Sequence, residues 1–171
     1  MLNSFFLDKE EIISNDFKNN GFIIKKINQT NSYEWINKKV LSISKKILKN
    51  KNLPDNFLDN SHKYIEIKNL NNFRVNIIND LNKLKEFQYH YHNLSREFLD
   101  LIVGNELAMQ KRVNLSIQIP NDSSSLLPVH SDVWSGDSPY EVVVWLPLVN
   151  CYKTKSMFIL DAKKMNKFNK T

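Results

Sequence analysis

Two residues of the right types and spacing for metal chemistry stand in the second half of the chain, His130 and Asp132 in the tripeptide His130-Ser131-Asp132. Along an extended backbone, side chains two apart point to the same side, so an imidazole and a carboxylate converge on one small volume. That pair is two-thirds of the two-His-one-carboxylate triad, which holds ferrous iron on three protein ligands and leaves further positions open. Alone, the tripeptide is short enough to arise by chance, and its ordinary reading is a hydrogen-bonded surface pair. The elements around it decide what weight it carries.

Upstream, residues 112–119 (RVNLSIQI) alternate, with Val113, Leu115, Ile117 and Ile119 on one side and Arg112, Asn114, Ser116 and Gln118 on the other. This pattern predicts a strand with its apolar face on the preceding helices and its polar face toward water or a polar cavity. Pro120 and the run NDSSS predict a turn, 127–130 the next extended piece, and WSGDSP a loop. Residues 140–146 (YEVVVWL) are apolar and β-branched enough for a buried strand limited by Pro147, and 156–160 (SMFIL) read as another.

The first part of the chain reads as mainly helical. DKEEIISNDFKNN is acidic in its opening turn and ends at Gly21, which can close a helix in the left-handed conformation. A short strand is expected over 22–27 and another over 64–67. Asn31 or Ser32 can cap a helix running to about Lys49, with Trp35, Val40, Ile43 and Ile47 near helical spacing. The longest helical stretch covers about 72–103, broken near Gln88 and stopped by Gly104. The expected fold class is therefore α+β: one domain over 1–171, mainly helical over 1–104, with strands over 105–171. No internal repeat or linker divides it.

The stretch LLPVHSDVWSGDSPYEVVVWLPLVNCYKTKSM resembles the 2-oxoglutarate- and iron(II)-dependent oxygenases of the phytanoyl-CoA-dioxygenase-like branch, most narrowly those of sporadically distributed carbohydrate biosynthesis clusters. Upstream, FKNNGFIIKKI resembles the helix and first strand that open such enzymes. The resemblance is specific over 112–160 and loose before that. It implies a double-stranded β-helix (jelly-roll, cupin-like) flanked by N-terminal helices, Fe(II) held by His130 and Asp132, and 2-oxoglutarate and O2 as cosubstrates. The implied reaction oxidises a sugar, a nucleotide-sugar or another polar metabolite while 2-oxoglutarate becomes succinate and carbon dioxide.

The sequence departs from that family in one respect. Its histidines are His62, His90, His92 and His130, so no imidazole follows Asp132, and the basic residue that pairs with the distal carboxylate of 2-oxoglutarate has no counterpart. The expectation is a partial β-helix lacking its C-terminal strands, an inactive or incomplete fragment on its own, with open strand edges inviting self-association. Weaker candidates for the cosubstrate are Asn114 and Gln118 on the polar face, and Thr154 and Lys155, with Ser156, on the strand after Trp-Leu-Pro-Leu. Trp134 can wall a pocket or simply pack. His90 and His92, two apart in a helical stretch, do not share a face and read as surface residues. Cys151 reads as a small buried apolar group.

Composition narrows the alternatives. Ten Phe, six Tyr and three Trp among 171 residues, with 42% apolar content, are enough for a core. The net charge of +6 comes from lysines spread along the chain rather than gathered into a stripe, which argues against a nucleic-acid partner. A single cysteine allows no internal disulfide, and no signal-like start or membrane-length apolar run stands out, so the expected location is the cytoplasm. Two other functions stay open: a cupin-like metal-dependent isomerase or epimerase, which would normally show more imidazoles, and a non-catalytic binding protein.

Overall fold

Helix α1, Asp8–Asn20, begins where Glu10 turns back so that its carboxylate accepts the Leu7 N–H at 2.9 Å. It ends at Gly21, whose φ of 80° is open to glycine at no steric cost and whose N–H reaches the Phe17 carbonyl at 2.8 Å. The computed structural model describes residues 7–124, 126–162, 164 and 165. Ser125 of the expected turn, and parts of the two termini, lie outside the described residues.

Helix α2, Thr30–Ile47, is the hub. Its buried residues Ser32, Ile36, Val40 and Ser44 recur every fourth position and form one ridge, and two of them are small enough to let neighbours close in. The Ser44 hydroxyl, fully buried, donates to the Val40 carbonyl at 2.7 Å and so needs no partner from outside its helix. Helix α3, Ile67–Asn82, packs on α2 through Leu70, Phe73, Ile77 and Leu81, and α4, Phe87–Ile102, packs on α2 as well, with α1 against α4. Between α2 and α3 the chain makes a short 3-10 turn, Leu58–Lys63, preceded by Phe57, which is 1% exposed in the middle of the core. Each such fully buried side chain contributes about 1.5–3 kcal/mol relative to exposure.

The helical stretch over 72–103, expected to break near Gln88, is two helices separated at 83–86, and the second stops before Gly104 at a φ of 94°. Asn31 and Ser32 lie inside the first turn of α2 instead of capping it, because Ser32 is buried against α4 and its hydroxyl is engaged there. Residues 64–67 are not a strand: Tyr64 closes the 3-10 turn and Ile67 opens α3.

The larger correction concerns the fold class. Among the described residues there are helices and no strand or sheet, so the α+β fold with a partial double-stranded β-helix is overturned. Residues 22–27, 112–119, 127–130, 140–146 and 156–160 form no strand. The alternation of 112–119 is nevertheless real: Val113, Leu115 and Ile117 are half-buried, Ile119 is buried, and the residues between them are exposed. The same holds for Val142, Val144 and Leu146 against exposed Glu141, Val143 and Trp145. What is missing is a backbone ladder, because helix side chains bond these segments in its place.

Asn82, the last residue of α3, receives the Val113 N–H on its Oδ1 and donates to the Val113 carbonyl, both at 2.9 Å. The Arg74 guanidinium donates to the Ile117 carbonyl and pairs with Asp122 at 2.7 Å, where the two side chains are 14% and 5% exposed. Gln88 donates to the Lys111 carbonyl and Tyr91 to the Val144 carbonyl. Burial lifts the Tyr91 phenol above its usual range, so it stays a donor. No helix among the described residues is long and apolar enough to cross a membrane.

Two outcomes follow from these side-chain clamps. Asn82→Ala removes both bonds to Val113 and is expected to lower unfolding free energy by about 1–3 kcal/mol in urea titration, with helical content unchanged. The Ser124 hydroxyl and then Arg74 hold the Asp122 carboxyl well below its ordinary 3.8. A depressed carboxyl stabilises the fold above that ordinary value and withdraws its contribution as pH falls below it. Stability measured on the acid side of pH 4 should therefore fall less steeply in Asp122→Asn than in the parent chain.

Candidate metal centre

Residues 126–131 follow the turn that Asp122 and Ser124 close and bend at Val129, and Leu126, Leu127 and Val129 are all well exposed. At Ser131 the backbone is still extended, with φ −120° and ψ 137°, and Asp132 then opens a 3-10 turn, Asp132–Ser135. Gly136, at a φ of 99°, closes it. His130 and Asp132 thus sit on either side of one extended residue, as their spacing requires, and His130 Nε2 stands 3.5 Å from Asp132 Oδ1.

The second ring nitrogen fixes the first. His130 Nδ1 is 2.8 Å from the Pro128 carbonyl oxygen. A carbonyl only accepts, so Nδ1 carries the proton and, in the neutral ring, Nε2 is left with its lone pair. That lone pair and a carboxylate oxygen then face one volume, an arrangement that either a proton on Nε2 or a cation between them makes favourable. Histidine ligands of metals are commonly oriented this way, with the far nitrogen held by a carbonyl or carboxylate. The Pro128 carbonyl was not foreseen from the sequence. No local pattern marks it, because the contact depends on a bend at Val129 between the two residues.

The donor set fits two coordination positions. Among the described residues no third His, Cys, Asp or Glu joins His130 and Asp132 in a metal-binding group. Both side chains are substantially exposed, 41% and 52%, so the pair lies at an open surface instead of inside a walled cavity.

The other sequence candidates are placed as follows. Asn114 and Gln118 lie on the exposed face of 112–119. Thr154 and Lys155 belong to a 3-10 turn, Lys153–Lys155, and not to a strand. The Lys155 ammonium is 3.7 Å from Asp59 and 5.5 Å from the Tyr152 ring centre, so it faces the turn before α3. Trp134 is 58% exposed on the turn that Asp132 opens. Cys151 is half-buried, its Sγ against the Val149 carbonyl at 3.5 Å.

His90 and His92 are not free surface residues. His90 stacks on Trp35 with ring centres 4.2 Å apart, and its Nδ1 is 3.0 Å from the Ser32 hydroxyl, which also accepts from Asn93 at 3.2 Å. His92 Nε2 is buried without a hydrogen-bond partner among the described residues. These contacts hold α4 on α2.

No family model matches the chain, and neither a curated protein nor a solved structure does.

The tautomer gives a direct check on the geometry. In a long-range 1H–15N spectrum recorded where His130 is neutral, Nδ1 should resonate as the protonated nitrogen and Nε2 as the bare one. Zn2+ should shift the Nε2 resonance and leave those of His62 in place.

Proposed function

We propose that this chain carries part of an iron(II)- and 2-oxoglutarate-dependent oxygenase site, with His130 Nε2 and an Asp132 carboxylate oxygen as metal donors. The observation that carries this reading is the convergence of those two atoms at 3.5 Å while the Pro128 carbonyl holds the ring proton on the far nitrogen. Bound ferrous iron would supply activation of O2 at the expense of 2-oxoglutarate, for oxidation of a C–H bond in a polar substrate such as a sugar or nucleotide-sugar. The protein's own share is positional. Pro128 sets the proton, Ser131 in extended conformation sets the i, i+2 convergence, and the 3-10 turn after Asp132 fixes the direction of its carboxylate.

Asn114, Gln118, Thr154 and Lys155 are the polar side chains proposed for the cosubstrate. Lys155 suits a carboxylate because its pairing with Asp59 is a half-exposed contact that costs little to exchange. Trp134 and Tyr140, 58% and 90% exposed on either side of the loop after the ligands, offer aromatic faces to a sugar ring.

A second reading rests on those same aromatics. Trp134, Tyr140, Trp145 and Tyr152 are all well exposed, which suits a non-catalytic protein that binds a carbohydrate by stacking. The two readings separate on His130: stacking survives its loss and iron binding does not.

Titration with Fe(II) and 2-oxoglutarate in the absence of oxygen tests the first reading. Weak metal binding should fall at least about tenfold in His130→Ala and in Asp132→Ala, and should persist in His62→Ala. Because the chain provides two side-chain donors and no later histidine, the charge-transfer band should stay below full strength and succinate formation should be slight or nil. Unchanged iron binding in His130→Ala would overturn the assignment.

A further inference from the structure

Between Val113 and Ile117 the chain alternates in exposure as an extended chain does, and among the described residues helix side chains bond its backbone along one edge. In an extended chain the N–H and C=O groups of successive residues point to opposite edges. The helix side chains that bond the backbone between Val113 and Ile117 do so at odd positions: Asn82 at Val113 and Arg74 at Ile117. The even edge, at Asn114 and Ser116, carries no backbone–backbone hydrogen bond among the described residues, and both residues are exposed. An edge of this kind is a template for another strand.

We propose that the occupant is a second copy of this chain, bound through the same edge in antiparallel register about a two-fold axis at Leu115. In that register Asn114 meets the partner's Ser116, and the two exchange N–H···O=C bonds, as do Ser116 and the partner's Asn114. Leu115 faces the partner's Leu115 as a non-hydrogen-bonded pair, which its parity requires because odd groups point to the other edge.

The side chains suit self-pairing. On the exposed face Asn114 lies against the partner's Ser116, two neutral polar groups, and Arg112 is kept away from the partner's Arg112, so no like charges oppose. On the helix side Val113 lies beside the partner's Ile117, continuing a half-buried apolar row across the axis. The other alternating segment is closed to such pairing. Its even position Val144 is bonded to Tyr91, and its open odd edge is bounded by Pro139 and Pro147, which have no N–H to give. Proline at such positions is a common guard on edges.

The experiment uses the whole chain in a Cys151→Ser background. Sedimentation velocity should show a concentration-dependent dimer. Ser116→Pro deletes an N–H of the open edge twice per dimer, while the odd edge and its bonds to α3 stay in place. It should raise the dimer dissociation constant about tenfold or more with the helical circular dichroism unchanged. Should that variant lose helical signal, the register arm decides. Asn114→Cys and Ser116→Cys chains, mixed and gently oxidised, should form the mixed covalent dimer in preference to either homodimer. A chain that stays monomeric, or one that dimerises with no preference for the mixed disulfide, overturns the proposal.

Discussion

The backbone of the second half has to be bonded by something, and the helices do it with side chains. An extended segment laid on an apolar layer loses water along one edge, and each amide left unpaired there costs about as much as a hydrogen bond in an apolar setting. In a sheet the neighbouring strand removes that cost. Here Asn82 reproduces half of a ladder rung, one acceptor and one donor on the same residue of the segment, and Arg74 takes the next carbonyl on that edge but one. The α3 helix therefore presents two functions on adjoining faces. Leu70, Phe73, Ile77 and Leu81 build the core against α2, while Arg74 and Asn82, two turns apart, grip the chain that crosses outside.

Much of the helical half was legible because its signals are local. An acidic first turn and Gly21 bound α1, and the spacing of Trp35, Val40, Ile43 and Ile47 marks α2, although its fully buried ridge runs through Ser32, Ile36, Val40 and Ser44. The alternation of 112–119 was legible too, and burial follows it residue by residue. A sheet does not follow from that alternation. A period of two reports which face is buried and is silent on what occupies the edges, so the same RVNLSIQI is compatible with a strand partner or with a helix offering Asn and Arg. The clue lay in α3, where Arg74 and Asn82 stand eight residues apart beside the apolar stripe, too far apart in the chain from 112–119 for a local pattern to connect them.

The histidines show the same limit. His90 and His92 do not share a helix face, which disposes of them as a metal pair, yet the sequence gives no sign that Trp35 lies over one and that the other turns its Nε2 inward. His130 and Asp132 are the reverse case. Their relation depends on one residue of backbone, Ser131, so a short-range rule brings the two side chains together without any knowledge of the fold.

The candidate centre is tied to the helical layer by the clamps on either side of it. Before it, Arg74 and Ser124 hold Asp122; after it, Tyr91 holds Val144. Between those anchors the chain passes over the surface, with Leu127 and Val129 exposed and short local turns at 131–137 and 138–141. The His130–Asp132 pair on this span is well defined within itself, since the Pro128 carbonyl and the 3-10 turn set the two side chains against each other. Relative to the helical layer it is positioned from a distance, through the two bonded segments. At the proposed site metal affinity would draw on the local geometry, whereas placing a substrate would draw on the anchors, so the Arg74–Asp122 and Tyr91–Val144 bonds would bear on turnover more than on metal binding.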